Sequence, residues 1–149
     1  MKKIVLFTLI LFLIFSLCSC TDTRSCEEIL FSITNEKSSL PYGNLYLKSA
    51  EEGDVAHIPD STLTTLYHEG VLEYEFTLIE DFAIYLCPKA PCEIAVFRCY
   101  SATDTELIAA MCLKRIDMLS VLLEETPYKN IPKNAKIQIK GKVVSVVMA

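Results

Sequence analysis

Cys87 and Cys92 stand close in the chain, with Pro88-Lys89-Ala90-Pro91 between them. Two thiols this near can cross-link, share a metal or exchange electrons. Redox motifs of the thioredoxin kind separate their thiols by two residues, and this spacing is longer. A zinc site needs further Cys or His ligands nearby, and no such spacing occurs. A disulfide is the expected chemistry if the chain is exported, with a pair of free thiols as the alternative. Cys99 and Cys112 are expected to be small core residues.

A second constellation involves charge. Arg115 interrupts the apolar stripe of the longest helical pattern, between Cys112 and Leu119. Arginine cannot shed its proton, so a buried guanidinium requires an acceptor. Glu80 and Asp81 adjoin at the head of an apolar strand pattern and are the expected partners. Strict alternation puts Glu80 with Phe82, Ile84 and Leu86, on the face the helix should cover, which favours Glu80 for a buried ion pair. His57 falls in a loop and His68 near a helix end. Neither spacing suggests a nucleophile with its base. No catalytic, cofactor or metal site is expected.

The elements that hold these residues are legible. Residues 81–87 and 93–100 alternate and are bounded by prolines, which cannot donate to a ladder. They form an antiparallel hairpin with Cys87 opposite Cys92 at its mouth. Residues 104–126 then carry Ile108, Cys112, Ile116, Leu119, Leu122 and Leu123 on one helical face. A second hairpin is expected over 135–148, turning at Lys140-Gly141, with Ala135, Ile137, Ile139, Val144 and Val146 on one face. Upstream, 26–35 reads as an amphipathic helix, 45–47 as a short strand and 61–69 as a short helix closed by Gly70. Residues 73–80 read as extended. The expected fold is α+β: a four-stranded antiparallel sheet from two hairpins, the long helix on one face, and the N-terminal helices on an edge or the other face.

The start of the chain sets its address. Met1-Lys2-Lys3 precedes an apolar run over 4–17, the pattern of an export signal. The run is shorter than the roughly 20 residues of a spanning helix. Leu17-Cys18-Ser19-Cys20 resembles the bacterial lipobox. That resemblance implies cleavage before Cys20 and lipid on Cys20, a firm anchor when several acyl chains are attached. The division is then a signal peptide over 1–19, a tether over 20–25 and one domain over 26–149. Loss of Lys2 and Lys3 moves the formal charge from −5 to −7. So acidic a domain is not expected to bind nucleic acid.

Glu93-Ile94-Ala95-Val96-Phe97, a helix containing Lys114-Arg115, Asn134-Ala135-Lys136-Ile137 and Lys140-Gly141-Lys142 form a series with Leu66-Tyr67 upstream. The series resembles a domain-of-unknown-function family of short lipoproteins from Gram-positive, Clostridium-like bacteria. The resemblance implies a small α+β domain at the cell envelope, and it transfers no activity or site residue. The expected role is a membrane-anchored, extracytoplasmic binding or accessory domain, whose partner is an envelope protein or a small ligand. The alternative is an envelope enzyme using a thiol or a pocket acid.

Overall fold

The protein's structure, a computed structural model, describes residues 22–37, 39–67 and 72–149. Helix α1 spans Cys26–Asn35 and strand β1 spans Asn44–Leu47. Helices α2 (Asp60–Tyr67) and α3 (Leu72–Thr77) follow, then strands β2 (Ile79–Leu86) and β3 (Glu93–Cys99). A 3₁₀ turn over Ala102–Asp104 leads into the long helix α4, Thr105–Leu122. Helix α5 (Asn130–Lys133) and strands β4 (Lys136–Lys140) and β5 (Val143–Met148) complete the chain.

The fold is α+β with an antiparallel sheet, but the sheet has five strands rather than four, in the order β1-β2-β3-β5-β4. The added strand is β1, which pairs with β2 from Asn44↔Leu86 to Leu47↔Ala83. It covers ladder groups that β2 would otherwise present at a bare edge. So short a stretch shows little alternation, and its partner lies far along the chain. Of residues 73–80, expected to be extended, 73–77 lie in α3 and only 79–80 in a strand. The expected cap Gly70 and His68 lie outside the described residues.

The first hairpin keeps the expected face assignments over most of its length, with Phe82↔Phe97 and Leu86↔Glu93 as partners. Its register shifts between Ile79 and Asp81. This bulge places one extra residue, Glu80, in β2 and reverses the alternation below it. Ile79 and Phe82 therefore both reach the α4 side, while Glu80 is exposed. In the second hairpin Ile137 meets Val146 and Ile139 meets Val144. The turn residues are Gly141 and Lys142, one position later than expected, with Gly141 at φ 60°.

Each face of the sheet has its own core. Helix α4 lays Ile108, Met111, Cys112, Ile116 and Leu119 over Phe82, Ile84, Ala95, Phe97, Val144 and Val146. Leu122, expected in this stripe, is exposed, because the helix ends there and its cap residue Leu123 turns back towards the core. Helix α1 covers the other face with Cys26, Ile29 and Leu30 over Ala83, Ile94, Val96 and Val143. Ser25 and Glu28 close the start of α1 in a reciprocal capping box, each side chain accepting from the other's backbone N–H. Strand β3 lies in the middle of the sheet and is buried on both sides. No helix among the described residues is long and apolar enough to cross a membrane.

Candidate functional site at the mouth of the first hairpin

The hairpin turn holds the two cysteines together. Cys87 N–H donates to the Cys92 carbonyl at 3.0 Å, and Cys92 N–H donates to the Ala90 carbonyl at 2.7 Å. The pairing Leu86↔Glu93 continues by one step, so Cys87 and Cys92 are opposed on the face that α1 covers. Both are thiols in this structure. Cys87 Sγ lies 3.5 Å from the Pro41 carbonyl, while Cys92 is buried. Burial pushes the Cys92 thiol up to about 12, and the Cys87 thiol beside it adds to the shift. Directly opposed strand residues have Cα atoms roughly 4.5–5.5 Å apart, inside the span a disulfide needs.

Glu93 follows Cys92 and so points to the opposite face, towards α4. It is 2% exposed. The Tyr67 hydroxyl donates to its Oε1 at 2.7 Å, and Arg115 Nε–H donates to its Oε2 at 3.1 Å. Arg115 does form a buried ion pair, but the acid is Glu93. Glu80 faces outward because of the bulge, and Asp81 accepts from Cys26 N–H at 3.1 Å on the α1 side. Tyr67 is fixed from the apolar side, edge-on to Phe97 with ring centroids 5.4 Å apart. Burial and the neighbouring Glu93 carboxylate hold its hydroxyl pKa well above the ordinary tyrosine value. Cys112 lies in the same core, and its thiol is likewise raised, chiefly by burial.

The pair is not sealed in. A cavity of about 280 Å³ opens between the hairpin mouth, β1 and α4, and both Glu93 and Arg115 line it. Tyr46, Leu66, Leu86 and Leu119 supply apolar walls, and Cys87 and Cys92 sit at the rim. Buried charge beside an opening is one arrangement that marks binding sites. A larger cavity of about 580 Å³ lies between the 47–64 segment, α3 and β2. Its cation Lys48 bonds the Ile79 carbonyl, and His57 Nδ1 lies 3.3 Å from the Ala50 carbonyl. Its walls are more polar, with Lys48, His57, Asp60 and Ser61 among them, but no ion pair among the described residues lines it.

Charge on the far end of the sheet serves a different purpose. Arg98, near the end of β3, donates through Nη1 to the Asp22 carbonyl at 2.8 Å and through Nη2 to the Arg24 carbonyl. Asp22 also pairs with Arg24 at 2.6 Å, which holds its carboxyl well below the usual carboxylate range. Asp22 and Arg24, expected in a free tether, are therefore docked on the domain. The distance from Glu93 to Arg98 along β3 is about 17 Å at the usual strand rise.

Sequence reasoning placed Arg115, Cys87 and Cys92 but missed Glu93 and Tyr67. A signal for Glu93 was present, since it alternates with Ala95, Phe97 and Cys99. Tyr67 carried none, because its contact depends on how α2 docks. Cys20 lies outside the described residues. Among those described, no three His, Cys, Asp or Glu side chains gather as a metal site. No family model, no curated protein and no solved structure matches the chain.

Proposed function

We propose that this protein is an extracytoplasmic lipoprotein, held to the membrane through lipid on Cys20, whose domain binds a small ligand in the cavity at the hairpin mouth. The observation that carries the binding role is the Glu93–Arg115 pair at the wall of an open cavity. A pair needed only for folding gains nothing from the opening, and apolar residues of similar volume serve stability as well or better. The address rests on the leader, on Leu17-Cys18-Ser19-Cys20 and on the resemblance to the envelope lipoprotein family. The docking of Asp22 by Arg98 fits this reading. An anchor at Cys20 joins the domain at the Arg98 end of β3, and the cavity opens at the Glu93 end, away from the membrane. A thiol enzyme working through Cys92 is less well supported, because burial pushes that thiol up to about 12 and makes it a poor source of thiolate.

Two measurements test the proposal. Metabolic labelling with a clickable fatty acid should mark the full chain and leave Cys20→Ala unmarked. Labelling of Cys20→Ala overturns the anchor. Fragment screening by NMR on the detergent-solubilised protein should shift resonances of Leu86, Cys92 and Leu119, and Ala90→Trp at the rim should abolish those shifts. Fragments that bind only elsewhere overturn the cavity as the site.

A further inference from the structure

The ligand class follows from how little of Arg115 is used. Its Nε–H donates to Glu93, and among the described residues no hydrogen bond reaches either Nη atom. The guanidinium side chain is 12% exposed, and the opening available to it is the cavity. Glu93 is the more fully engaged group, since each of its oxygens already accepts a hydrogen bond, Oε1 from Tyr67 and Oε2 from Arg115. The cavity thus presents a planar edge of N–H donors with apolar walls around it.

We propose that the cavity binds the carboxylate of a small apolar acid, with the two oxygens on the Nη atoms of Arg115 and the hydrocarbon part against Leu66, Leu86 and Leu119. This rests on the cavity being a ligand site. Guanidinium and carboxylate match as two parallel N–H···O bonds, a fit that an ammonium lacks. In walls of low polarity such bonds are stronger than in water. Phosphate fits less well. Among the described residues that line the cavity, Arg115 is the single cation, and Glu93 is beside it. A dianion would face that carboxylate with one guanidinium between them. The volume, about 280 Å³, lies just below the usual range for ligand pockets, which suits only a short-chain or single-ring acid.

Titration of the full-length protein in detergent with benzoate, benzamide and inorganic phosphate tests this, read by calorimetry and by the ¹⁵N guanidinium resonances of Arg115. Benzoate should bind at least tenfold more tightly than benzamide and should shift the Arg115 Nη resonances. The double variant Arg115→Met/Glu93→Gln keeps an acceptor for Tyr67. It should lose the preference for benzoate while retaining benzamide. The guanidinium readout on the unaltered protein decides the matter even if that variant does not fold. Equal binding of benzoate and benzamide overturns the carboxylate assignment and leaves the cavity as a ligand site. Tighter binding of phosphate than of benzoate overturns it in the same way. Binding of none of the three overturns both readings.

Discussion

The two ends of β3 hold one arginine contact each, and they are built on different physics. At the Glu93 end, a guanidinium and a carboxylate meet inside the α4-side core, with Tyr67 completing the acid's bonds. At the Arg98 end, a guanidinium reaches backbone carbonyls of the incoming chain at the half-exposed rim. The first arrangement is costly to desolvate and sensitive to the loss of either partner. The second only fastens a segment, and water can replace it. A charged group buried beside an opening invites a functional reading, whereas one that pins a terminus does not.

The sharpest break of this comparison is Arg115→Ala. It should destabilise the protein by about 3–5 kcal/mol in chemical denaturation, because it strands Glu93 in the core. Arg115→Met/Glu93→Gln should lose much less. If Arg115→Ala costs no more than an exposed ion pair, the Glu93 end is not the buried network described here.

Alkaline pH should act next. Cys92 is raised to about 12 and Cys99 to about 11, in each case mainly by burial. Their ordinary value is 9.0, so the unfolded chain loses these protons first. The stabilisation is present in full below pH 9 and is lost as pH rises from there towards the folded values. For the reduced protein at pH 10 the two thiols together should remove about 3 kcal/mol, at 1.36 kcal/mol per unit each. Cys26, Cys112 and Tyr67 are raised as well and add in the same direction. A denaturation midpoint that stays flat from pH 8 to 10 would contradict the burial of these groups.

Oxidation should act in the opposite direction, and more weakly. A Cys87–Cys92 bridge should form under mild oxidant, appear as one linked peptide by mass spectrometry and add about 2 kcal/mol, since so short a loop restricts the unfolded chain little. It should also remove the Cys92 share of the alkaline loss. Linked peptides that join Cys87 to some other cysteine would refute the opposed geometry at the hairpin mouth.

The smallest effect belongs to the other end of β3. Arg98→Ala should cost about 1–2 kcal/mol, the scale of lost charge-assisted hydrogen bonds to backbone. Its clearer signature is faster proteolysis near Asp22 and Arg24, with the Glu93 end unchanged. Equal proteolysis of the two proteins would mean that the Arg98 contacts do not hold this segment.

Much of this was open to a reader of residues alone. Period-2 alternation around Pro88 and Pro91 places the first hairpin and opposes its cysteines, since strand parity is a local property. The spacing of Ile108, Cys112, Ile116 and Leu119 places the long helix and puts Arg115 on its buried face. Local pattern also implies that such an arginine has a partner, because desolvating a lone guanidinium is prohibitive wherever it occurs.

Which partner it has, only the tertiary structure decided. One extra residue in β2 at Glu80 reverses the alternation, and nothing in the types of Glu80 and Asp81 announces a bulge, which depends on pairing with β3. The fifth strand, the Tyr67 hydroxyl on Glu93 and the docking of Asp22 on Arg98 all join segments distant in the chain. Periodicity reports which way a residue faces within its own element. It carries no information on what stands opposite, and the cavity beside Arg115 exists only in the gap left when β1, the hairpin mouth and α4 come together.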